Sequence, residues 1–162
     1  ILDKKNVDML TGQKIFTEAE IKSRCDIMLD NYCKTVIIEA NTMLDMAKKQ
    51  IIPAVESYAS ELIGTASAKA SCDGELPCGY EKKLIKKLSV LTDRMDLSAE
   101  ALEKALASLG SINGITEKSA EIRDTVLGKM SELRLACDEA ETLTAEKYWP
   151  YPTYGDLLFG VK

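Results

Sequence analysis

The chain has 162 residues, with 21 basic against 26 acidic side chains, a net charge of −5 and no histidine. That length suffices for one domain with its own core, and the acidic balance argues against nucleic acid, whose binders carry a basic face. Without histidine there is no Ser-His or Cys-His catalytic pair, no His-containing zinc site and no His-based pH switch.

The pattern is helical almost throughout. A short segment from Lys4 to Leu10 stops at Thr11-Gly12. Thr17-Glu18-Ala19-Glu20 then carries the spacing of a capping box, in which Thr17 and Glu20 satisfy each other's backbone N–H. A long helix is expected from about 18 to 70. Its apolar positions, Ile21, Cys25, Met28, Tyr32, Val36, Ala40, Met43, Ala47, Ile51, Val55, Tyr58 and Leu62, recur in steps of three and four. Pro53 lies inside that run and predicts a kink, because it lacks an N–H and crowds the preceding turn.

Residues 71–79 are a loop by composition. A second helix is expected over about 80–109, with a heptad seam at Leu84, Leu88, Leu91, Met95, Ser98, Leu102, Ala105 and Leu109. Asp96-Leu97-Ser98 offers an alternative start for a new helix there. Gly110 and Gly114 bracket a turn, and a third helix follows over about 116–144, with Ile122, Val126, Met130, Leu133, Cys137 and Ala140 inward. Gly128 inside it costs about 1 kcal/mol relative to alanine unless it permits close packing.

The expected fold is therefore all-α: a long kinked helix plus an antiparallel hairpin, forming an elongated three-helix bundle. Residues 1–16 are a lead-in and 17–147 the bundle. Residues 148–162 form an extended tail built on Pro150 and Pro152. The half of the first helix before Pro53 has an apolar stripe with less to pack on. The tail concentrates aromatic side chains, Tyr148, Trp149, Tyr151, Tyr154 and Phe159. Such groups bury large areas, so the tail docks either on its own bundle or on a neighbouring domain or subunit.

Five cysteines, an odd number, leave at least one free thiol. Cys25 and Cys33 share a helical face as small core hydrophobes. Cys72 and Cys78 flank a loop that a disulfide could close, against which a reducing cytoplasmic location argues. No run of 18 apolar residues and no signal-peptide pattern occurs, so no membrane association is expected. The chain starts at Ile1 rather than Met, which suggests processing or a piece cut from something longer.

Catalytic or cofactor motifs are not evident. Neither G-x-G-x-x-G nor G-x-x-x-x-G-K-[ST] occurs. Glu39 lies close to the apolar stripe. It is either a functional carboxylate or a boundary residue paired with Lys34, Lys48 or Arg24, or with a cation from a partner. No second carboxylate shares its face at di-metal spacing. Lys82-Lys83 and Lys86-Lys87 make a small basic stripe that reads as a solvated face, with phosphate or acidic lipid as the alternative.

Two stretches carry a resemblance. One runs from Ser23-Arg24 through Tyr32, Lys34-Thr35, Ile38-Glu39-Ala40, Thr42-Met43 and Met46-Ala47 to Ile52-Pro53-Ala54. The other is Trp149-Pro150-Tyr151-Pro152-Thr153-Tyr154-Gly155-Asp156-Leu157-Leu158-Phe159. With Leu133-Arg134 and Asp138-Glu139 between them, the chain resembles the C-terminal region of type III glutamine synthetases. Cys25 and Cys33 depart from it, standing where an aromatic and a serine are expected.

The resemblance implies a parent enzyme that joins ammonia to glutamate with ATP and Mg²⁺ or Mn²⁺, in a cytoplasmic homo-oligomer. It places the catalytic, cofactor and metal residues upstream, so none is expected here. The segment's own role would be structural or regulatory. Trp149, Tyr151, Tyr154, Phe159 and Glu39 are then candidate contacts to the catalytic domain or to neighbouring subunits. A stand-alone helical adaptor is the competing reading.

Overall fold

The chain opens with a short helix, α1 (Lys4–Gly12), and turns at Lys14, whose φ of 55° lies in the left-handed region. In this computed structural model, which describes residues 2–160, the next element is α2 (Glu18–Met46). The capping box starts it: the Thr17 hydroxyl accepts the Glu20 N–H at 3.3 Å, and the Glu20 carboxylate accepts the Thr17 N–H at 2.7 Å. The Thr17 N–H, followed by its hydroxyl, holds the Glu20 carboxyl below its ordinary pKa.

A π turn, Ala47–Ile51, joins α2 directly to α3 (Ile52–Cys72). Here the Ile52 N–H reaches back five residues to the Ala47 carbonyl. Pro53 follows as the second residue of α3. The expected perturbation at Pro53 thus takes the form of a wider turn just ahead of the ring, where the missing N–H disturbs the ladder least.

Helix α4 (Gly79–Ser108) runs without a break through Asp96-Leu97-Ser98 and tightens into a 3₁₀ turn at Leu109–Ser111. Helix α5 (Ile115–Glu121), a second π turn (Ile122–Val126) and α6 (Leu127–Leu143) form the return arm. No strand occurs among the described residues. Helix α4 packs against α2, α3 and α6, while α2 packs against α5. One core runs through these helices, with Val55, Leu88, Met95, Leu102, Ile122, Val126 and Leu133 fully enclosed. Each such side chain contributes roughly 1.5–3 kcal/mol of burial.

Two seams differ from the sequence expectation. Ala99, not Ser98, is the fully buried member on α4, so the hydroxyl stays at the margin of the core. On α2 the inward residue is Cys33, while Met28 is 62% exposed and Tyr32 also reaches solvent. The steps Met28, Tyr32, Val36, Ala40 are all four residues long. Each precesses by about 40° on a 3.6-residue helix, which carries Met28 and Tyr32 off the core face.

Ion pairs tie the helices laterally. Lys69 meets Glu81 at 2.6 Å, Lys48 meets Glu103 at 2.7 Å and Arg94 meets Glu139 at 3.0 Å. The exposed ones contribute at most about 1 kcal/mol each. Helix α6 ends where the buried Thr144 hydroxyl donates to the Ala140 carbonyl at 2.7 Å. A 3₁₀ turn, Glu146–Tyr148, then lays the Tyr148 ring 5.4 Å from that of Tyr58 on α3. Lys147 and the Tyr148 hydroxyl both bond Glu61.

Candidate functional site

The tail divides into a docked and a displayed part. Trp149 and Tyr151 pack half-buried against the core, their rings edge-on at 6.4 Å. The Tyr151 hydroxyl is buried without a hydrogen-bond partner, and burial raises its pKa, with a smaller contribution from nearby Cys137. Burial likewise pushes the Cys137 thiol up to about 11. The tail is not extended throughout as expected: it bends at Pro150-Tyr151 and, after Thr153, turns into a short helix, α7 (Tyr154–Phe159). Thr153 caps it by exchanging hydrogen bonds with Asp156: the Asp156 carboxylate takes the Thr153 N–H at 2.8 Å. That cap holds apolar side chains out to solvent: Leu157 and Leu158 are about 70% exposed and Phe159 is 81% exposed. The Tyr154 side chain lies outside the described structure.

Glu39 lies on the rim of an apolar cleft of about 510 Å³ between α2 and α6. Ile38, Met43, Met46, Ile51, Met130 and Cys137 line its floor and walls, and Arg134 and Asp138 close the far rim. The three cations offered to Glu39 by the sequence are engaged elsewhere. Lys34 pairs with Asp30 at 2.6 Å, Lys48 with Glu103, and the Arg24 guanidinium sits 4.5 Å from the Phe16 ring centre. Glu39 itself is exposed and forms no ion pair among the described residues.

Helix α2 presents Ile38 at the cleft and, about three turns earlier, Ile27 and Met28, each more than half exposed. Adaptable methionines and aliphatics in a concave, mostly apolar setting suit contact with another apolar surface. The sequence reading found Glu39 and the tail but missed the cleft. It also missed the cap of α7, although Thr153-x-x-Asp156 was there to be read. All five cysteines are free, Cys72 and Cys78 included, and Cys33 and Cys137 are buried.

Comparison with known proteins gives this surface a context. Residues 1–70 match the family described as the glutamine synthetase C-terminal domain. A glutamine synthetase of Butyrivibrio fibrisolvens is 36% identical over 162 residues, a match that covers 98% of this chain and 23% of that protein. The chain belongs to the glutamine synthetase family. A type-3 glutamine synthetase of Dictyostelium discoideum is 24% identical and a glutamine synthetase of Bacteroides fragilis 26% identical, again along nearly the whole chain. The chain spans less than a quarter of the length of these relatives. It corresponds to the C-terminal helical part of a glutamine synthetase, as its terminal motifs implied. A similarity this continuous removes the ground for the stand-alone adaptor reading.

Proposed function

We propose that this segment is a structural appendage of a cytoplasmic, homo-oligomeric glutamine synthetase that ligates ammonia to glutamate with ATP and Mg²⁺ or Mn²⁺. The observation that carries the reading is the similarity along 98% of the chain to an enzyme more than four times its length. The active site belongs to the remainder of that longer protein. The donor set here does not fit a phosphate-bridging metal: among the described residues no three Cys, Asp or Glu side chains cluster to hold an ion, and the chain lacks histidine. No step of the ligation is therefore assigned to these residues. Five unpaired thiols accord with a reducing compartment, and no helix is long and apolar enough to cross a membrane among the described residues.

The uncovered surfaces indicate how such an appendage would attach. Ile27, Met28, Ile38 and the cleft beside Glu39 form one attachment face, and Leu157, Leu158 and Phe159 on α7 form another. Trp149 and Tyr151, packed on the bundle, anchor the tail so that α7 is held at a fixed place. Tyr154, Phe159 and Glu39 are the contacts proposed toward the catalytic domain or a neighbouring subunit.

The test is glutamine formation from glutamate, ammonia, ATP and Mg²⁺ by the full-length polypeptide and by the 162-residue chain side by side. The expected result is turnover by the full-length protein and none by the segment. A folded full-length protein without activity would overturn the reading. Hydrogen exchange supplies the second arm: residues 21–50 should be slower to exchange in the full-length protein than in the segment, and equal rates would remove the attachment face.

A further inference from the structure

Several lysines of this chain sit beside a neutralising acid on their own helix. Lys34 meets Asp30, Lys49 meets Asp45, Lys104 meets Glu100 and Lys129 meets Glu132, each three or four residues away. The start of α4 is built differently. Lys82, Lys83, Lys86 and Lys87 are exposed, and none has an Asp or Glu three or four residues away. None forms an ion pair among the described residues, and the neighbouring Glu81 is held by Lys69. Lys82 with Lys86 and Lys83 with Lys87 are instead like charges at four-residue spacing, an arrangement that destabilises a helix. Local rules are broken in this way mostly at sites that serve another purpose. The groove between α4 and α6 gives the charges a shape. Lys83 and Lys87 stand between two hollows, one of about 430 Å³ that Lys86 and Val90 also border, the other of about 270 Å³ walled by Tyr80, Leu84 and Leu143. Tyr80, Lys83 and Lys87 follow in steps of three and four, hence on one side of α4, and Tyr80 is 68% exposed. Glu139 borders the larger hollow from α6, but Arg94 holds it at 3.0 Å.

We propose that this groove binds a small organic polyphosphate. Its linked phosphates lie among the Lys83, Lys86 and Lys87 ammonium groups, and its planar organic group lies against the Tyr80 ring. Lysine serves phosphate as a compact point charge. Three such charges within little more than one turn call for several negative charges in a row, which a single carboxylate does not carry. From Tyr80 to Lys87 the helix rises about 10 Å, room for an organic group at one end and phosphates at the other. Hollows of this scale hold small molecules. A flat anionic bilayer fits them less well, because it would press on Glu139 as well as on the lysines. The site lies on α4 and α6, apart from the attachment faces on α2 and α7, and does not depend on them.

The deciding experiment is calorimetric titration of the chain with ATP and, separately, with inorganic tripolyphosphate, without divalent metal and at low ionic strength, where exposed charges are least screened. Both should bind with dissociation constants below about 1 mM. ATP should bind severalfold more tightly, because its base adds contact with an aromatic face. K83Q/K87Q should weaken both by roughly tenfold or more, since it removes two charge-assisted contacts. The same variant, checked for helical circular dichroism, should melt above wild type without ligand, because it relieves a like-charge pair. Tyr80→Ala should remove the advantage of ATP and leave tripolyphosphate binding unchanged. K4Q/K5Q, which takes two exposed lysines from α1, should change neither. Absence of binding by both anions below about 1 mM overturns the proposal. So does equal weakening by K4Q/K5Q, which would mean diffuse attraction, or an ATP advantage that survives Tyr80→Ala. Capture of the chain on phosphatidylserine vesicles without binding of tripolyphosphate would give the lysines to a membrane surface and overturn it as well.

Discussion

Glu81, in the first turn of α4, holds the Lys69 ammonium of α3 at 2.6 Å across the loop that joins the two helices. The Glu81 side chain is buried while Lys69 keeps part of its surface in water. The second Glu81 oxygen is buried without a hydrogen-bond donor, so this carboxylate depends on Lys69. The bond to Lys69 is the largest cause lowering the Glu81 pKa, and the bond to Glu81 is the largest cause raising that of Lys69. A carboxylate with a depressed folded-state pKa contributes stability above its unfolded value and loses it as pH falls through the folded one. The pair should thus stabilise the chain at neutral pH and cease to do so in acid. Lys69→Met should lower the melting temperature at pH 7, because it strands a buried charge. The difference from wild type should shrink as pH drops below the carboxylate range. A difference that is flat with pH would show that the pair contributes nothing.

Gly64 and Gly128 lie inside helices, exposed, and a Cβ built on either meets nothing within 4 Å. Close packing therefore does not explain Gly128. Gly64→Ala and Gly128→Ala should each stabilise the chain by up to about 1 kcal/mol, read from chemical denaturation. A substitution that stabilises the segment yet impairs a longer glutamine synthetase would mark a surface covered there.

The seam on α4 can be tested by exchanging volumes. Ala99→Leu should cost about 1–3 kcal/mol by overpacking an enclosed site. Ser98→Leu, one residue earlier and half-buried, should cost well under 1 kcal/mol. The opposite order would restore Ser98 to the seam.

Tyr151 places a hydroxyl in the core with no partner. Removing an unpaired buried group is neutral or favourable, so Tyr151→Phe should leave stability unchanged or raise it by up to about 1 kcal/mol. A loss of more than that would reveal a hydrogen bond that the hydroxyl makes.

The exposed and the buried thiols should react on different time scales, with Cys25 and Cys78, of intermediate burial, between them. Cys72 is exposed and should react first with a disulfide reagent at pH 8. Cys137, pushed up to about 11 by burial, is almost wholly protonated there. Cys137 and Cys33 should therefore react only at the rate of unfolding, and early labelling of either would mean that the bundle opens locally.

Much of this architecture could be read from residue spacing. Thr17 and Glu20 fix the start of α2 by chemistry local to four residues, and the leucines of α4 fix its inward face. What escaped was decided by what lies across the gap. Whether Ser98 or Ala99 faces inward depends on how α4 turns against α3 and α6. Whether Glu39 finds a cation depends on Glu103, more than sixty residues away, which takes Lys48 instead. Among the tail residues, composition marked Trp149, Tyr151 and Phe159 alike as apolar. Only the packing separates the two that are covered from the one that is displayed.

The π turn ahead of Pro53 also acts on register. Ala47, Ile51, Val55 and Ala59 are all buried, and each lies four residues after the last. In an unbroken α-helix those three steps would swing the buried face by about 120° and carry its end out of the core. The extra residue in the wide turn takes most of that rotation back. The two halves of the long rod can therefore face one hydrophobic interior from sequences written in different phase. Deleting Gln50 would make the helix more regular and turn one half away from the other.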